Sequence, residues 1–303
     1  MSPTSPVPMS LSVQVTDPLG ADLPAALDRA AALGVEIAEL PLHALDLVIG
    51  ARPLPGRIAA IRAICADRPL GYVLHGHLGI NLMEEAHRIG LHLDVLRANI
   101  EVAAALQCRH LVIHSGFVRA GQASAIEDAY ARQRAHLPAM GELAAAHGVT
   151  LCVENIFEFT GQRVTALPGR LAQELRAIAH PAVRATFDIS HGWLHCHQLG
   201  ADFLAEAAAL APLSQHLHLH DSFGRPSDFW TYSTSEALAF GAGDLHLPMG
   251  WGSIPWDGLA TGCAWPANLV ADVEVNHRHA ADFPEAIATS RAWVARLALI
   301  TPG

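Results

Sequence analysis

Nine side chains able to bind a metal ion end, or closely follow, the apolar runs of this 303-residue chain: His75, His114, Glu154, Asp188, His191, His218, Asp244, His246 and Glu274. No two successive members lie further apart than one strand-helix unit, so one repeated architecture could bring them all to a single point. Asp244 and His246, within GDLHLPMGWG, are two residues apart and would face the same side if locally extended. His191 follows Asp188 by three, an odd step that cannot share a strand face, and is expected in the turn beyond the strand. His216, His218 and His220 share parity, but successive members sit roughly 6.6 Å apart along an extended chain, so at most one or two could serve one ion. HGHLGINL leaves a similar choice between His75 and His77. A lone strand-end carboxylate is ordinarily a cap or surface salt bridge. Four carboxylates and at least five imidazoles converging would instead carry a burial cost that a metal offsets. Imidazole with carboxylate suits Zn2+, with Mn2+ or Fe2+ also fitting.

The elements that must position these groups alternate. Short β-branched or apolar runs at 11–15, 35–40, 71–75, 110–114, 150–154, 185–188, 216–220 and 269–274 read as strands. Ala/Leu-rich segments at 22–32, 57–66, 92–105, 125–146, 169–178, 201–210 and 284–299 read as helices, several opened by Pro or Asp. Eight βα units in this length predict an α/β fold, a single (β/α)8 TIM barrel domain over 1–303, with its site at the carboxyl ends of the strands. The segment 221–268 has no clear period and is expected to be a long functional loop between strands seven and eight.

Composition narrows the function. About half the residues are apolar, enough for one large core. The net charge is -10, and all 19 basic residues are Arg, which argues against a nucleic-acid groove built on bulk charge. Five scattered cysteines (65, 108, 152, 196 and 263) show no C-x-x-C pair and predict a reduced, cytoplasmic protein. The opening MSPTSPVPMS lacks the features of a secretory leader, and no apolar stretch reaches 18 residues. No membrane association is expected. Oligomeric state has no sequence signal. Of the 19 histidines, His43, His87, His92, His136, His147, His180, His195 and His197 read as surface residues.

The order and context of the nine candidates resemble the endonuclease IV branch of the xylose isomerase-like barrels, the AP endonuclease family 2 superfamily, over roughly 71–274. HGHLGINL resembles H-x-x-Y-x-I-N-L, which selects His75 and puts Leu78 at the Tyr position. HSG, VEN, DISH, HLHD and DLHLPMGWG resemble H-P-G, E-N, D-x-x-H, H-L-N-D and D-R-H-x-x-I-G-x-G. The resemblance implies up to three zinc ions. His75 and His114 would hold the first, and Asp188, His218 and Glu274 the second, with Glu154 bridging. His191, Asp244 and His246 would hold the third. It implies a metal-dependent phosphoesterase or phosphodiesterase, with metal-activated hydroxide attacking phosphorus. The Leu78 substitution and the Lys-free, acidic composition favour a small phosphorylated metabolite, nucleotide- or corrinoid-like, over abasic DNA. His77, His220, Arg225 and Trp251 are the candidates for binding it. The competing expectation is a single-metal sugar or sugar-phosphate isomerase or epimerase. There Glu154, Asp188, His218 and Glu274 would hold one ion while the catalytic residues Glu154 and Glu274 move a proton. A noncatalytic metal- or ligand-binding barrel is a third reading.

Overall fold

The computed structural model describes residues 7–158 and 162–300. Eight parallel strands close into a barrel: β1 (Met9–Ser12), β2 (Ile37–Pro41), β3 (Gly71–His75), β4 (His110–His114), β5 (Thr150–Glu154), β6 (Val183–Asp188), β7 (Ser214–Leu219) and β8 (Val270–Val273). Neighbours in the ring are consecutive in sequence, and β8 pairs with β1 through Met9 and Ala271 to seal it. The helices are α1 (Leu23–Ala32), α2 (Pro55–Ala66), α3 (Ile89–Ala105), α4 (Ile126–Ala146), α5 (Pro168–Ile178), α6 (Ile189–Leu199), α7 (Phe203–Leu210), α8 (Thr234–Phe240), α9 (Trp256–Gly262) and α10 (Phe283–Val294). Among the described residues no helix is long and apolar enough to cross a membrane.

All eight expected strands are present within a few residues. Their apolar runs are buried on both sides, as a parallel sheet under helices requires. Proline at the first or second position opens α1, α2, α5 and α10, where its missing N–H costs nothing.

Three expectations need correction. Helix α6 was not anticipated, and His191 lies in its first turn, not in a turn past the strand. The sequence ISHGWLHCHQL reads polar, yet Asp188 caps the helix by accepting from the His191 N–H at 2.7 Å. The segment after β7 is also more structured than a loop. It holds α8, capped by Ser233, and α9, together with a short strand, Ala264–Pro266, paired with Ala298–Ile300. The C-terminal helix ends at Val294, short of the expected 299. Part of the N-terminal stretch read as lacking a leader, residues 1–6, lies outside the described residues. The five cysteines are buried and free.

The barrel interior departs from the usual layers of branched aliphatics. Ser10, Glu39, Thr186, His216, His218 and Asp272 are all at most 2% exposed, and they come from five different strands.

Candidate metal centre

The strand ends deliver Glu154 from β5, Asp188 from β6, His218 from β7 and Glu274 immediately after β8. His218 Nδ1 lies 3.3 Å from Glu154 Oε1, 3.1 Å from Glu274 Oε2 and 3.6 Å from Asp188 Oδ2. Asp188 divides its two oxygens: Oδ1 caps α6 while Oδ2 faces the site. Asn155 locks the ends of β5 and β6 together, its side chain accepting from the Asp188 N–H at 3.0 Å and donating to the Asp188 carbonyl at 2.8 Å. His75 and His114 reach the same centre, with Nε2 atoms 3.2 and 3.5 Å from Glu154 Oε2.

A second cluster comprises His191, His220, Asp244 and His246, whose ligand atoms lie within 4.8 Å of one another. His191 Nδ1 faces the Asn155 carbonyl at 3.2 Å and His246 Nδ1 faces the Glu274 carbonyl at 2.8 Å. A ring N–H given to a backbone carbonyl fixes the tautomer and turns Nε2 inward. Both Nε2 atoms point at Asp244 Oδ2, at 3.2 and 2.8 Å. Asp244 and His246 do converge, but not through an extended segment: His246 has φ 48°, a left-handed kink.

Asp221 holds this loop in place. Fully buried, it accepts from Ser222 N (2.9 Å) and Ile254 N (3.3 Å) on one oxygen, and from Gly250 N (2.8 Å) and Trp256 Nε1 (2.9 Å) on the other. Gly252 packs so closely here that a Cβ would lie 2.3 Å from Asp221 Oδ1, which requires glycine.

The electrostatics follow from crowding. Burial penalises charge on every group, yet ion pairing outweighs it at several. The Glu154 contact raises His75 to about 9, and Asp244 and Glu274 raise His246 to about 10. Burial prevails at His114, lowered to about 3. Asp188 and Asp244 are held below the usual carboxylate range against burial, chiefly by His191 and His220 for the first and by His246 and His191 for the second. Several buried atoms nevertheless have no hydrogen-bond partner, among them Glu154 Oε2, Glu274 Oε2, His220 Nδ1 and Asp244 Oδ1. Acceptor-rich groups converging with unused lone pairs fit a cation.

The residues expected to bind substrate are placed differently. His220 is fully buried, stacked on His246 at 3.9 Å with its Nε2 3.0 Å from Asp188 Oδ2. It is therefore packed among the potential metal ligands, beside Asp188 and Asp244. Arg225 is exposed and donates to the Phe240 carbonyl at 2.6 Å, while Trp251 is about half exposed and packs against His279. His77 is turned to Asn99 Oδ1 at 3.1 Å and lines a neighbouring depression with His43 and Leu78. His195, expected at the surface, is buried in α6. The cavity that opens on the metal-ligand groups, about 410 Å³, is lined by Ser12, Glu39, His43, His75, His246 and Glu274 among others, with no Arg in its described lining. Glu39 was missed by sequence reasoning; only the polar residue breaking the apolar run IAELP marks it.

The chain belongs to the xylose isomerase-like TIM barrel family, whose model matches residues 27–261. Membership supports an enzyme. No curated protein matches the chain. Among solved structures it is similar to a D-tagatose 3-epimerase-like protein, at 18% identity over 95% of this chain and 98% of that one, with a TM-score of 0.69. It is also similar to a 3-keto-D-glucoside 4-epimerase from E. coli (11%, 94% and 99%, 0.64). A third is a Thermus thermophilus protein soaked with ZnCl2 (21%, 95% and 97%, 0.61). These identities carry the fold. Sugar epimerases recur among the structures that share this fold along nearly the whole chain, and this runs against the expected phosphoesterase chemistry.

Proposed function

We propose that this protein is a metal-dependent epimerase or isomerase of a small sugar, with Glu154 and Glu274 as the proton-transferring pair. The observation that carries the reading is their placement. Glu154 ends β5 and Glu274 follows β8, strands three places apart in a ring of eight, so the two carboxylates approach from nearly opposite walls. Both nevertheless reach the same His218 nitrogen. A sugar carbon held between them is flanked on both faces, which is what removing a proton from one face and returning it to the other requires.

Glu154, Asp188, His218 and Glu274 would hold a divalent ion; three carboxylates with one imidazole suit Mn2+. When bound, such an ion polarises a substrate carbonyl and so acidifies the adjacent C–H. One carboxylate then accepts the carbon-bound proton while the other donates to the opposite face of the enediolate. The His191, His220, Asp244 and His246 set, with three imidazoles, suits Zn2+. The nine expected ligands, with His220 added, thus divide between these ions, His75 and His114 adjoining the first through Glu154. The cavity lining of Ser12, His43 and Asn276 offers hydroxyl-binding groups without a phosphate clamp.

The test is incubation of the Mn2+-loaded protein with unphosphorylated ketohexoses in D2O. Deuterium should enter the substrate next to the carbonyl, together with an epimer or an aldose. Failure of any sugar in a broad panel to exchange a carbon-bound proton would overturn the reading.

A further inference from the structure

Beneath the centre just described, three fully buried donors from two strands converge: Glu39 on β2, and His216 and His218 on β7. Glu39 Oε2 lies 2.9 Å from His216 Nε2, and Glu39 Oε1 lies 3.3 Å from His218 Nε2. The bland account is a carboxylate accepting two imidazole N–H bonds. It fails on direction: Glu39 Oε2, His216 Nε2 and His218 Nε2 are all without a hydrogen-bond partner despite these short separations. The atoms approach one another without pointing at one another, as they do when each points at a common centre. Donors bound at about 2.0–2.1 Å to a tetrahedral ion are about 3.3 Å apart; the Glu39–His218 spacing matches that figure and the Glu39–His216 spacing falls about 0.4 Å short of it.

We propose that Glu39, His216 and His218 form a further, deeper site for a transition-metal ion in the barrel interior, sharing only His218 with the proposed catalytic set. The donor set is two imidazoles and a carboxylate, which selects a Zn2+-like cation over Ca2+ or Mg2+. Its surroundings fit. His216 Nδ1 lies 3.4 Å from His110 Nδ1, so a proton between them orients the ring and leaves Nε2 free to bind. Glu39 also lines the cavity that reaches His75 and Glu274, which gives an ion a route inward. His218 turns Nδ1 to Glu154 and Glu274 and Nε2 to Glu39. With both sites filled it binds through both nitrogens, and the ring proton leaves to solvent as the second ion enters.

Full-length protein stripped with chelator and titrated with Co2+ reads the site directly. Glu39→Gln and His216→Gln should each bind one equivalent less than the unaltered protein and keep the others, with circular dichroism confirming the fold. Unchanged stoichiometry in both folded variants would overturn the proposal. So would loss of every equivalent in Glu39→Gln, because Glu39 would then only support His218. If neither variant folds, anomalous scattering at the zinc edge from Zn2+-soaked crystals of the unaltered protein decides. A peak within about 2.5 Å of His216 Nε2 is expected, and its absence at saturating Zn2+ refutes the site. None of these measurements depends on epimerase activity.

Discussion

Asp221→Asn changes one atom and should cost far more than such a change suggests. Oδ1 accepts from the Ser222 and Ile254 N–H groups, and Oδ2 from Gly250 N–H and the Trp256 indole. An asparagine amide keeps one acceptor oxygen, so in either orientation its NH2 confronts two buried donors. A hydrogen bond to a charged group contributes about 1.5–3 kcal/mol, so losing two costs about 3–6 kcal/mol before relaxation. That is a large share of a typical stability of about 5–15 kcal/mol. The assay is urea denaturation followed by tryptophan fluorescence, with metal content measured in parallel. The midpoint should fall sharply, and loading at Asp244 and His246 should drop, because Asp221 also pairs with Leu247 beside them. A stability within about 1 kcal/mol of the unaltered protein, with unchanged loading, would refute the account of Asp221 as the anchor of this loop.

Glu154→Gln and Glu274→Gln should each slow solvent-deuterium entry into substrate by at least about 10²-fold, the usual scale of a lost acid or base; a rate near the original in either would remove that residue from proton transfer. His220→Asn should lower Zn2+ affinity by about 10-fold or more while epimerisation with Mn2+ persists, as equilibrium dialysis would show. Metal-free protein should lose stability as pH rises. His75 and His246 titrate in the unfolded chain near 6.5 but at about 9 and about 10 in the fold, so their stabilising charge is fully present below about 6.5 and lost through about 9–10. Melting temperatures from pH 6 to 10 with chelator present should show this decline, and a flat profile would contradict it.

The barrel was legible because its strands are apolar runs of the right length at regular spacing, and the ends of those runs carried most of the site. VADVE pointed to Glu274 and ATFD to Asp188 because a carboxylate closing a buried run has few places to go. Helix α6 escaped notice because its periodicity is diluted by five polar residues, and only Asp188 as a cap marked its start. Glu39 escaped for a different reason. It sits inside a strand, where sequence alone cannot tell an inward carboxylate from one facing a helix, and its partner His216 is 177 positions away. The chemistry was misread because the types of the ligand residues record where cations could sit, and the same types serve a hydrolase and an epimerase alike.

A barrel whose axis is filled with imidazoles and carboxylates in place of aliphatic layers has given up some of the oily glue that lets such folds close unaided. An ion held by Glu39, His216 and His218, as proposed above, would bind only the closed barrel, so Zn2+-loaded protein should unfold at a higher temperature than the metal-free chain.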